Sequence, residues 1–137
     1  MLINISGRTD SAGVMFWEIP QINLDRRYNY KVGVRHLNFE LLNHGQDISQ
    51  NDLLCLHTNL IDLSIRNPLQ SVLSFAHDGR QPISDINPSI VSFYPIQLYN
   101  LESLTFSIRK YFLDREVPVK HLYVLLEILR IDAYGRF

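Results

Sequence analysis

The chain has 137 residues, 46% of them hydrophobic and 20% charged, with a formal net charge of -1. Those proportions belong to a globular domain and exclude a disordered tail, a collagen-like repeat and a coiled coil. They give no electrostatic footprint for nucleic acid or an anionic membrane, so no specific nucleic acid and no membrane partner is expected. At this length one domain over residues 1–137 is the expectation, large enough to need no staples.

Cys55 is the single cysteine and has no internal disulfide partner, which argues against an oxidising, secreted scaffold. The opening residues lack a basic stretch followed by an apolar run, and no segment approaches the roughly 18 apolar residues that span a bilayer. The expected location is a cytosol, a nucleus or a particle assembled there. With 3 Ala, 3 Lys and 5 Glu against 20 Leu, the residues that fill exposed helix faces are scarce. That predicts an all-β protein.

In chain order, Leu2 and then the run 14–19 are short apolar segments, broken by Gly7, Ser11 and Gly13 and closed by Pro20. In 28–42, Tyr28, Tyr30, Val32 and Val34 alternate with polar residues, the period of a half-buried strand. The alternation then slips by one, to Leu37, Phe39 and Leu41. A one-residue slip predicts a bulge near His36 and a bent strand of the kind that serves both sheets of a sandwich. A polar loop over 43–52 precedes a second apolar region from Leu53, in which Ile61 and Leu63 share a face. Residues 70–76 follow as a short strand or a helical turn, and 77–80 as a turn with Gly79 available for positive φ. Three prolines, Pro82, Pro88 and Pro95, punctuate an extended section. Leu104, Phe106 and Ile108 face inward. The last segment, 121–131, is read as a strand apolar on both faces, with Leu122, Val124, Leu126 and Ile128 against Tyr123, Leu125, Leu129 and Ile131. About eight strands at this spacing predict an antiparallel two-sheet sandwich of single jelly-roll type.

Cys55 and His57 stand two apart on a strand and share a face, the spacing of a nucleophile and its base. No activating signature accompanies them, so a buried thiol beside a hydrogen-bonded imidazole is the stronger reading. His36, His44, His57, His77 and His121 lack metal-ligand spacing. The chain has no phosphate loop, serine elbow or zinc-protease motif. No catalytic residue, no metal site and no cofactor is expected. Arg26-Arg27 before Tyr28 and Tyr30 reads as a solvated turn leading into a strand. Phe16 and Trp17, adjacent on a strand, must point to opposite faces, so one of them is core and the other is exposed or covers a partner. Tyr94, Tyr99 and Tyr123 raise the same choice between core and contact. Together these five are the candidate interface residues.

The order of the segments resembles a known family. Ile19-Pro20-Gln21-Ile22-Asn23-Leu24 followed by Tyr30-Lys31-Val32-Gly33-Val34 resembles the opening strands of jelly-roll capsid proteins of polinton-like and adintovirus-like elements. In those proteins a proline-led strand and a polar turn lead to a "Tyr-x-Val-Gly-Leu" strand. The segment 56–64 is similar to their "Cys-Asn-Leu-Val-x-x-Ser" strand. The proline-rich 87–96 and the closing strands 101–108 and 124–128 follow in the same order. The turn 110–116 departs from the family in being bulky and lacking glycine.

The resemblance implies a non-enzymatic structural protein, a subunit of a viral or virus-derived capsid that assembles by symmetric self-association. The chain is too short for a double jelly roll and lacks the long insertions of main shell proteins, which points to a minor or vertex-type subunit. The implied partners are its own copies, as a trimer or pentamer, and other capsid proteins. The implied location is the virion, or the cytosol or nucleus of a host cell. A carbohydrate- or peptide-binding jelly-roll module, with exposed aromatics as stacking platforms, is the alternative.

Overall fold

The computed structural model describes residues 1–43, 52–62, 67, 69–77, 81–113 and 115–131. Ten strands follow one another: β1 (Leu2–Thr9), β2 (Met15–Glu18), β3 (Asn29–Leu41), β4 (Asp52–Thr58), β5 (Ser71–His77), β6 (Ile83–Ile86), β7 (Tyr94–Pro95), β8 (Phe106–Lys110), β9 (Arg115–Val117) and β10 (Val119–Ile131). One 3-10 turn, Leu101–Ser103, is the sole helical element among the described residues. No helix among them is long and apolar enough to cross a membrane.

The strands form two antiparallel sheets. One runs β2-β1-β10-β3-β6, with β7 also on β3, and the other runs β5-β4-β8-β9. Three of the pairings are nested: β1 with β10, β3 with β6, and β4 with β5. A long hairpin rolled up on itself gives this nesting, so the sandwich is jelly-roll-like. The remaining nested pair, β2 with β8, has no ladder. β2 lies instead on β1, and the second edge of β8 is taken by β9. The two meet only through side chains, with the Trp17 and Phe106 rings 6.1 Å apart.

The predicted slip has a physical counterpart. On β3, His36 pairs with Leu125 and Val34 with Leu126, which leaves Arg35 as the extra residue of a bulge. Val34 points in, Arg35 and His36 both point out, and Leu37 points in again. β3 nevertheless stays within one sheet along its whole length, contrary to the bent strand shared by two sheets that the slip suggested. A single bulge re-phases the side chains without moving the strand to another partner. A second bulge stands opposite. Val119 pairs with Leu41 and His121 with Glu40, so Lys120 is the extra residue on β10.

The core lies between the sheets. Ile5, Leu37, Phe39, Leu54, Leu56, Val124 and Leu126 are fully buried. Val32, Val34, Ile61, Leu104, Phe106 and Ile108, expected to face inward, are buried as well. Leu63 lies outside the described residues, as do the predicted turn residues 78–80 and most of the 43–52 loop. Two glycines serve close approaches. A Cβ on Gly7 would stand 2.7 Å from the Trp17 ring, so the indole lies flat across the backbone there. A Cβ on Gly33 would stand 2.5 Å from Val91 Cγ1 and 3.0 Å from the Ser92 carbonyl oxygen. The segment after β6 can therefore pack onto β3 only because residue 33 has no side chain.

Candidate functional site

The outer face of the larger sheet is the first candidate surface. The bulges place His36, Asn38 and Glu40 of β3 and His121 and Tyr123 of β10 on it together. His36 Nε2 meets Asp85 on β6, and Asn38 Nδ2 donates to the same Asp85 oxygen at 3.3 Å. These hydrogen bonds, His36 first, hold the Asp85 carboxyl below its ordinary range. His121 Nε2 donates to Asn38 Oδ1 at 3.1 Å, and its Nδ1 lies 3.6 Å from Glu40. Tyr123 donates to Asn4 at 2.5 Å and meets the His36 ring edge-on at 5.7 Å. The bulged Arg35 is ion-paired with Glu127.

Beside this network a concavity of about 660 Å³ opens over β2, β1 and β10, lined by Phe16, Arg8, Glu18, Glu40, His121 and Tyr123 among others. Cross-strand pairing explains the set, since Phe16 stands opposite Arg8, Arg8 opposite His121, and His121 opposite Glu40.

Of the five candidate interface residues, Phe16 and Tyr123 come together here, with Phe16 61% exposed. Trp17 points the other way, as alternation requires, and is packed against the core. It also lines a groove of about 390 Å³ between β2 and the β8–β9 pair, with Met15, Phe106 and Val117. This groove occupies the seam where β2 and β8 have no ladder. Tyr94 and Tyr99 pack against the core at the opposite end of the sandwich, away from Phe16 and Tyr123. Tyr99 meets Tyr30 edge-on at 6.0 Å and carries Arg26 over its ring at 5.5 Å. Arg130 covers Tyr28 at 4.4 Å. The Arg26-Arg27 pair is a turn, as read from the sequence: Asp25 accepts from the Arg27 backbone N–H and forms an ion pair with its guanidinium at 2.7 Å.

The sequence marks the 110–116 turn as bulky and without glycine, but its residues are not among the interface candidates. The turn joining β8 to β9 carries Tyr111, Phe112 and Leu113 in succession, with Phe112 82% and Leu113 70% exposed. Polar and glycine residues ordinarily fill such a turn, so three consecutive large apolar side chains were the available signal. Strand register places Leu42, Ile83 and Val14, all exposed, at this same end. Lys110 and Arg115 pair directly across the base of the turn, and Lys110 lies 3.5 Å from Asp52.

Cys55 is fully buried on β4, and His57 Nδ1 donates to the Leu69 carbonyl at 2.5 Å. Such an arrangement ties the imidazole to backbone. His77 is buried against Phe39 and shares a hydrogen bond of 2.7 Å with Ser84 Oγ. No group of three or more metal-ligating side chains converges among the described residues. Comparison of the chain with family models, with curated proteins and with solved structures finds no match.

Proposed function

We propose that this protein is a non-enzymatic structural subunit that works by symmetric self-association, a minor or vertex-type capsid protein of the jelly-roll kind found in polinton-like and adintovirus-like elements. Its place is then the virion, or the host cytosol or nucleus where shells are built, and its partners are copies of itself and other capsid proteins. One observation carries the reading: Phe112, Leu113, Leu42 and Val14 are each exposed, and strand register puts them at the same end of the sandwich. Apolar side chains exposed at one end suit an interaction surface better than single residues scattered over the whole surface do. The jelly-roll-like nesting and the near-neutral charge, which leaves little repulsion between copies, support it.

Size-exclusion chromatography with light scattering tests the proposal. A trimer or pentamer is the expected species at micromolar concentration, and a chain that stays monomeric at high micromolar concentration would overturn it. The concavity that joins Phe16 and Tyr123 to Arg8, Glu18 and Glu40 favours a second reading, a carbohydrate- or peptide-binding module. Aromatic faces beside mixed charges suit a polyhydroxylated ligand better than a strongly charged one. A glycan array separates the two, since a monomer that binds sugar through Phe16 supports the second alone.

A further inference from the structure

We infer that β5 is an edge by which one copy pairs with another: the β5 strands of two copies lie antiparallel across a two-fold axis and join their smaller sheets into one. The inference rests on the self-association proposed above and names one of its contacts.

A sheet edge presents unpaired backbone groups, and proteins ordinarily blunt it with short strands, charged side chains or proline. Among the described residues, every edge strand but one is blunted in this way. On the larger sheet, β2 has four residues and ends on Glu18, while β6 has four, carries Asp85 and lies between Pro82 and Pro88. β7 has two residues, one of them Pro95. On the smaller sheet, β9 has three residues, among them Arg115 and Glu116, and Pro118 follows. β5 is the exception, with seven residues and no acid, lysine, arginine or proline. Its irregularity is confined to the start, where Leu73 pairs with Leu56 and Ser71 with His57, which leaves Val72 as an extra residue. The Ser71 N–H and carbonyl are both taken by the Asn67 amide at 2.9 Å, and the Leu73 carbonyl accepts from Ser71 Oγ at 3.1 Å. Beyond them, the backbone of Ser74, Phe75 and Ala76 has β4 as its sole hydrogen-bond partner among the described residues.

A second β5 fits this edge better than any other edge of the chain. The others carry the charges and prolines just named, whereas two copies of β5 bring no acid, lysine or arginine against its like. Antiparallel pairing also keeps each face in register. Leu73 and Phe75, half-buried and packed against the core, come beside Leu73 and Phe75 of the second copy. Ser74 and Ala76, both exposed, come together on the outer face. Exposed apolar side chains follow the same edge. Ile90, 84% exposed, borders a concavity with Leu73 and Ser74, and Ile83, 51% exposed, borders one with Phe75 and Ala76. A copy seated on β5 lies against both. Because each side supplies the same strand, the contact is isologous and joins subunits in pairs. Between trimers or pentamers it links one ring to the next, which a closed shell requires in addition to its rings.

Amide hydrogen exchange, followed beside sedimentation, tests this. In the wild type, those amides of residues 74–76 that do not donate to β4 are expected to slow by about tenfold or more as the protein is concentrated from low to high micromolar. The double variant Ser74→Lys, Ala76→Lys alters two exposed side chains and sets lysine against lysine in the paired strands. It is expected to melt like the wild type, to lose the concentration-dependent slowing, and to keep its rings while their further association weakens by about tenfold or more. Should the double variant melt early, the wild-type exchange series decides alone. Wild type that assembles while residues 74–76 exchange fast at every concentration would overturn the pairing and leave self-association standing. A folded lysine variant that assembles as the wild type does would have the same consequence. A wild type that stays monomeric at high micromolar concentration overturns both.

Discussion

The two ends of the sandwich treat their aromatic residues in opposite ways. At the end where β3 begins and β10 finishes, Tyr28 lies under Arg130, Tyr99 lies under Arg26, and Tyr30 and Tyr99 pack edge to face. At the other end Phe112 and Leu113 stand in solvent beyond the last rung of β8 and β9. Both ends close a hydrophobic core of the same kind, so closure does not explain the difference. The first end covers its aromatic rings with cations of the same copy, although Met1 and Leu2 stay exposed on that side, whereas the turn at the other end leaves Phe112 and Leu113 uncovered, apolar surface that burial would stabilise by roughly 25 cal/mol per Å². A monomer gains nothing from that exposure.

The contrast is sharpest between two phenylalanines. Phe39 is fully buried, with the Phe75 and His77 rings 5.7 and 5.9 Å away. Phe39→Ala is expected to cost about 3–5 kcal/mol in urea unfolding. Phe112→Ser, at the bare end, should stay within about 0.5 kcal/mol of wild type when the protein is monomeric. A large loss for Phe112 would mean that its side chain is part of the fold.

Gly33→Ala comes next, because its methyl group would collide with Val91 and the Ser92 backbone. A loss of about 1–3 kcal/mol is expected, read as a lowered melting temperature. Loss of the nearer of the two cations over Tyr28 through Arg130→Ala should cost about 0.5–1 kcal/mol. The smallest effect concerns pH. The Arg27 side chain and backbone N–H lower the Asp25 carboxyl from 3.8 to about 2. A depressed carboxyl stabilises the fold above its unfolded pKa, and that contribution disappears as pH falls through the folded value. The melting difference between wild type and Asp25→Asn should therefore be constant near neutrality and shrink between pH 4 and 2. A difference that grows in that window would reverse the assignment.

Much of the scaffold was legible in the sequence. Alternation on either side of the phase slip reported the inward face of β3, and the slip located the bulge to within a residue of Arg35, whereas β10, apolar on both faces, was legible as a strand without an evident inward face. β1 was less visible, since only Ile3 and Ile5 mark its buried face before Gly7. β6 and β9 are too short to display a period. The site was legible in part: Phe16 and Trp17 had to diverge, but which of them turned inward depended on the room that Gly7 leaves for the indole. The Asp85 contacts join strands 47 and 49 residues apart in sequence, and no local pattern reports such a meeting. The turn 110–116 was legible as bulky and without glycine, but that Phe112 and Leu113 stand exposed depends on how the turn projects from the sheet, which residue type does not report.

The paired bulges bear on how this chain tolerates change in length. Arg35 adds a residue to β3 and Lys120 adds one to β10, so the two 13-residue strands still finish level. Between them lies a stretch offset by one residue, and the His36–Asn38–His121 network belongs wholly to that stretch. Deleting either residue alone would leave the strands out of step, with apolar side chains turned to water along one arm. Deleting both would bring them level again by another route. Insertions and deletions in these strands are therefore coupled across the sheet, and a compensated pair preserves a face that a single event would invert.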